Sequence, residues 1–258
     1  MTRHVTRTTL SVAAAGLALA LAACGGTTTV STTGSNSAGA STTTGSSTSS
    51  ASPTSTTSAA AATPTVQGAV RQMNAGFAQV KSAHVVAEDL DGKDTIKIEL
   101  AGTVDGKNQR GSISNSSATD GGVVQFVVVD GKEYVNGDAA YYKSSGNTKG
   151  STYAGKWVVV PSTAAQSFSD LTLKSLFDEM ESDFSDAKTT KMKLTTVSEN
   201  GVPAWRIADS QTTGIIAADG SGHLMRAEHT EGGKTERYVF DRWNAVAPAT
   251  APAGAIQG

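Results

Sequence analysis

The chain carries one thiol, Cys24, placed directly after Leu21-Ala22-Ala23 and before Gly25-Gly26. A thiolate is a strong nucleophile, and the small residues on either side leave this sulfur sterically open. A lone cysteine builds neither an internal disulfide nor a Cys-rich zinc site. The remaining chemistry-bearing residues are scattered. His223 and His229 flank Glu228, but six residues apart on a strand at ~3.3 Å per residue puts them about 20 Å apart, too far to share an ion. They are expected at the surface, and His84, with no histidine or cysteine nearby in sequence, in a structural role. Gly233-Lys234-Thr235 ends like a phosphate-binding loop, yet position 228 is Glu where a glycine is required, so the segment reads as a turn. No Gly-x-Ser-x-Gly elbow marks a nucleophile among the serines. Glu88, Asp89, Asp91 and Asp94 surround an Asp-Gly pair without the ligand register of a calcium loop, and read as a solvated turn. No catalytic residue, metal site or cofactor is expected, and a hydrolase ranks last among the readings.

The elements before Cys24 are those of an export signal. Arg3, His4 and Arg7 precede an uncharged run, Thr8 to Ala23, centred on Leu10, Val12, Leu17, Leu19 and Leu21. The run is too short for a spanning helix of about 20 apolar residues and lacks a basic stop-transfer cluster. With Cys24 at its end, the segment resembles the lipobox of bacterial lipoproteins. That resemblance implies residues 1–23 as a signal peptide and Cys24 as the lipidated first residue of the mature chain. The alternative is an ordinary secreted protein with a chance cysteine at the cleavage site. Two acyl chains anchor a protein stably where one would be marginal. The expected location is extracytoplasmic, lipid-anchored to the outer face of the cytoplasmic membrane. Loss of Arg3 and Arg7 leaves 19 basic against 23 acidic residues, so neither anionic lipid nor nucleic acid is attracted by net charge.

Residues 27–65 contain 25 Ser or Thr among 39 and no charge. Such a segment buries too little apolar surface to repay its ordering entropy, so 24–65 is expected to be a disordered tether holding the domain about 35 Å from the membrane. Its Ser/Thr and proline content also fits O-glycosylation; a plain spacer is an equal reading.

Beyond Pro64 the pattern is that of one folded domain, 66–247. Val66, Val70, Met73, Phe77 and Val80 recur at helical spacing and predict a helix over 65–81. A second helix is expected between Pro161 and Lys191, with Leu173, Leu176, Phe177, Met180 and Phe184 on one face and Ser169 or Asp170 capping it. Elsewhere the period is two, interrupted by Asp-Gly, Asn-Gly and Gly-Gly pairs that accept hairpin-turn φ values. Strands are expected at 83–90, 94–104, 108–116, 122–130, 132–136, 140–144, 156–160, 191–199, 203–209, 213–218, 223–230 and 235–241. The fold class is α+β: a curved antiparallel sheet with helices on one face. Residues 248–258, with Pro248 and Pro252 near the start of an uncharged end, are expected to form a flexible tail.

Five segments carry a resemblance: Phe77-Ala78-Gln79-Val80-Lys81-Ser82-Ala83-His84-Val85, Val129-Asp130-Gly131-Lys132-Glu133-Tyr134-Val135, Tyr141-Tyr142, Gly155-Lys156-Trp157-Val158 and Tyr238-Val239-Phe240-Asp241. Together they look like the actinobacterial lipoproteins of the LppX/LprAFG type, which share the fold of the carrier LolA. The resemblance implies an incomplete barrel with helices on its concave side and a hydrophobic cavity for a lipid or glycolipid. Residues placed to line it are Met73, Phe77, Ile98, Leu100, Phe126, Val128, Leu173, Phe177 and Met180. Every one of them would serve equally in a filled core, and a non-catalytic scaffold or protein-interaction module is the alternative. Nothing in the sequence names a protein partner.

Overall fold

The computed structural model describes residues 63–258 apart from 92–93, 118–120, 148–149, 162–167 and 169–170. The leader, Cys24 and the tether up to residue 62 lie outside the described residues. The chain opens with α1 (Val66–Phe77), whose first turn is capped by Thr65: its hydroxyl accepts from Gly68 N at 3.1 Å. Five strands follow, β1 (Ser82–Asp91), β2 (Asp94–Thr103), β3 (Asn108–Asn115), β4 (Gly122–Val129) and β5 (Lys132–Gly137). Two short helices, α2 (Ala139–Ser144) and α3 (Gly150–Tyr153), lead to the two-residue β6 (Val158–Val159). Then come α4 (Leu173–Asp183), α5 (Asp186–Thr189), and β7 (Lys193–Glu199), β8 (Val202–Ala208), β9 (Thr212–Ala217), β10 (Leu224–Glu231) and β11 (Lys234–Asp241), with β12 (Ile256–Gln257) closing the chain.

Among the described residues, all twelve strands form one sheet in the order β12-β6-β5-β4-β3-β2-β1-β11-β10-β9-β8-β7. Every neighbour pair is antiparallel except β12 on β6. β1 pairs with β2 and also with β11, so the two meanders, β1 to β6 and β7 to β11, are joined along one strand. The result is a large, open, curved sheet that is not closed into a barrel. One face is apolar by period-two alternation, and α1 and α4 pack their own apolar faces against it in a single core.

Five local expectations change. The strand expected at 140–144 is helix α2, because Asp138 accepts from Tyr141 N at 2.7 Å and starts a helical turn at Ala139-Ala140, both strong helix formers. The strand expected at 156–160 contracts to Val158–Val159. The first helix ends at Phe77, short of residue 81, and the second takes its cap from Thr172, whose hydroxyl accepts from Ser175 N. The tail does not hang free. Asn108 and Ala249 exchange two hydrogen bonds of 3.1 and 2.6 Å, Arg110 donates to Ala247 O, and Ile256–Gln257 pairs with β6. It lies over a small apolar cluster on the convex side, around Val127 and Tyr134. An alternation that leaves Val127 and Tyr134 facing outward needs a cover, and the uncharged tail supplies it.

Candidate functional site

The seam between the helices and the concave face is built from residues that alternate on their strands. Ile98 and Leu100 on β2 and Phe126 and Val128 on β4 point the same way because they are two apart. Met73 and Phe77 on α1, and Leu173, Phe177 and Met180 on α4, follow the helical repeat onto the facing side. The structure brings all nine predicted residues into one cluster, each 5% exposed or less. Their side chains contribute only carbon and sulfur to the seam. Phe77 and Phe177 stack across it, centroids 4.5 Å apart, and Phe126 stacks on Phe168 at 4.7 Å. Gln109, fully buried on the concave side, donates to the carbonyls of Phe168 and Leu171 and so ties the segment entering α4 to β3.

Each end of the seam has its own chemistry. At one end Trp243, just beyond β11, lies 5.7 to 6.3 Å from the rings of Phe77, Phe177 and Phe240. His223 covers its other face, centroids 4.8 Å apart and planes within 5°. Burial holds the His223 imidazole below its usual pKa, with Asp219 opposing. His223 is therefore a packing partner of a half-buried indole at a part-exposed position near the surface expected for it. His229 is likewise part-exposed, with Thr212 Oγ1 3.0 Å from its Nδ1. His84, on the convex side, is buried between Asp241 at 2.6 Å and Glu99 at 3.0 Å, a structural role.

The other end is acidic. Asp89, Glu236 and His229 stand side by side in register across β1, β11 and β10. They continue the concave rows of Ala87, Tyr238 and Ala227 by one step. Glu179 and Asp183 on α4 close over them, and Asp183 holds Lys188 at 2.7 Å. Burial, then the nearby Asp183 and Glu236, push the Glu179 carboxyl up to about 7, against the pull of Lys188. Burial and Asp89 raise Glu236 as well, with His229 opposing. Tyr238, buried beside Glu179 and Glu236, is raised chiefly by that burial and then by the neighbouring carboxylates. Asp89, grouped by sequence with a solvated turn, has a buried, unpartnered Oδ1. The missed signal is the parity of strand β1: Asp89 keeps step with Val85 and Ala87, which face the core.

Among the described residues no group of three or more His, Cys, Asp or Glu is placed to hold a metal ion. A concavity of about 560 Å³ lies away from the seam, where Tyr134, Val159 and Pro161 meet the tail at Pro252 and Gln257. None of the nine seam residues lines it.

The arrangement of an open curved sheet with helices on its concave face recurs in LprF from Mycobacterium bovis, with a TM-score of 0.51 at 12% identity over 75% of this chain and 100% of LprF. The chain has the LolA-like fold of LprF. The Mycobacterium tuberculosis lipoprotein LppX is also similar, with a TM-score of 0.41 at 14% identity over 70% of this chain and 96% of LppX. No protein-family model matches the chain, and no curated protein matches it. At 12% identity the likeness concerns the arrangement of helices and strands and does not extend to the side chains of the seam. The residues that fill it are this chain's own.

Proposed function

We propose that the protein is a lipoprotein of the cell envelope, anchored through Cys24, that binds a hydrophobic ligand, a lipid or glycolipid, in the seam between α1, α4 and the concave face. The observation that carries the reading is the seam itself: nine buried side chains from two helices and two strands, none offering a polar atom. An acyl chain entering there exchanges water for apolar contact and needs no specific hydrogen bond. As the structure stands, the seam is filled by its own side chains. Binding therefore requires the helix layer to lift and Met73, Met180, Phe77 and Phe177 to change rotamer. Methionine accommodates this readily. The LolA-like fold and the Leu21-Ala22-Ala23-Cys24 segment support the same reading from outside the seam.

A second reading has its own observation. The close Phe77–Phe177 and Phe126–Phe168 stacks are those of a finished core, which suits a non-catalytic scaffold or interaction module. Mass spectrometry of organic extract from protein purified from its own membranes separates the two. A lipid species carried by the wild type and lost in a folded Phe126→Arg, Phe177→Asp variant is the expected result. Identical lipid traces in both would overturn seam binding and leave the scaffold. Anchoring is tested apart from it: Cys24→Ser is expected to move the protein from the membrane fraction to the soluble one, and retention in the membrane would overturn the anchor.

A further inference from the structure

The two margins of the sheet are built differently. At one, the sheet ends on β12, which is two residues long. At the other it ends on β7, Lys193–Glu199, whose outer edge is paired with no other strand among the described residues. Natural edges are blunted by proline, central charges, bulges or brevity. β7 has none of these. It runs seven residues in unbroken register with β8, from Lys193 opposite Ala208 to Glu199 opposite Val202. Its only charges are at its two ends, and the five residues between them, Leu194-Thr195-Thr196-Val197-Ser198, are uncharged and rich in strand formers.

The direction of the free backbone groups follows from the hairpin. β7 and β8 are joined by Asn200-Gly201, with φ of 49° and 81°, a two-residue turn of the primed kind. Glu199 and Val202 are then a hydrogen-bonded pair, so alternate residues back to Lys193 bond to β8. Leu194, Thr196 and Ser198 direct their N–H and C=O groups outward.

We propose that β7 is a homodimerisation edge, at which a second copy of this chain adds its own β7 antiparallel about a two-fold axis through Thr196. The sequence of the strand is complementary to its own reverse. Thr196 meets Thr196 of the second copy, Leu194 meets Ser198, Thr195 meets Val197, and Lys193 meets Glu199 at both ends. The last two pairs fall at non-hydrogen-bonded positions, where side chains approach most closely. Glu199 is already held at the sheet margin by Arg226, Oε1 to Nε 3.1 Å, on the convex side, where Lys193 also points. An isologous contact of this kind closes on itself. The two-residue β12 at the other margin offers no comparable edge for a head-to-tail chain of molecules. An edge contact buries less than a standard interface of about 1,600 Å², so the dimer is a weak one.

The test is a thiol at the axis. In the full chain with Cys24→Ser, a Thr196→Cys variant is oxidised beside a Lys156→Cys control, an exposed position near the opposite margin. Cα atoms paired across a two-fold strand contact lie about 5.5 Å apart, within disulfide reach. We expect covalent dimer from Thr196→Cys at about ten times the control's yield, a difference of about 1.4 kcal/mol. Adding Lys193→Glu, which sets Glu against Glu at both ends, is expected to remove that excess while the thermal midpoint is unchanged. Equal yields at positions 196 and 156, or an excess that survives Lys193→Glu, would overturn the proposal. Because Cys24 is absent and no lipid is involved, the result is independent of anchoring and of seam binding.

Discussion

Replacing Glu179 by glutamine should uncouple the stability of the domain from pH near neutrality. The carboxyl stands at about 7 against an ordinary value of 4.5, because α4 buries it and faces it with Asp183 and Glu236. A carboxylate whose pKa is raised on folding binds its proton more tightly in the native state. Its contribution is thus fully present below about 4.5 and is lost as pH rises through about 7. At about 1.36 kcal/mol per pH unit, the full span is worth about 3 kcal/mol. Water reaching the partly exposed group lowers this to the order of 2 kcal/mol. Glutamine keeps the shape of the protonated acid and cannot ionise. Urea unfolding of both proteins at about pH 5 and about pH 8.5 reads the effect. The wild type should lose about 2 kcal/mol more than the variant between the two conditions, other groups cancelling in the comparison. Equal losses would refute the placement of Glu179 against the Asp89–Glu236 row.

Three further outcomes follow from packing. Phe126→Ala removes a ring that is 1% exposed and stacked on Phe168, and should cost about 3–5 kcal/mol in urea unfolding. Gly214→Ala sets a Cβ 2.7 Å from Phe184 Cζ on a fully buried ring, and should lower stability by about 1–3 kcal/mol although alanine is otherwise a tolerant residue. Deleting residues 249–258 takes away the Asn108–Ala249 bonds and the cover over Tyr134; the thermal midpoint should fall, with loss of about 1 kcal/mol for each hydrogen bond removed.

Sequence periodicity was enough to locate the long hairpin strands and the two amphipathic helices, because period two and period 3.6 are local properties of the chain. Alternation also sufficed to pick the nine seam residues as inward-facing. The helix at Ala139–Ser144 escaped because Tyr141-Tyr142 favours a strand by propensity, while the Asp138 cap decides the matter through one hydrogen bond. Asp89 escaped because its neighbours in sequence are turn residues, whereas its neighbours in space are Glu236 and His229.

What the sequence determined by itself was the inward side of the apolar residues on the long strands and helices, most of the turn positions and the signal-like leader, all of which depend on residues within a few positions of one another. Only the tertiary structure decided which strands stand at the margins, that the uncharged tail covers the convex side, and that four carboxylates converge under α4. Those features depend on pairings such as β1 with β11 and Asn108 with Ala249, between residues about 140 to 160 positions apart, which no local pattern encodes.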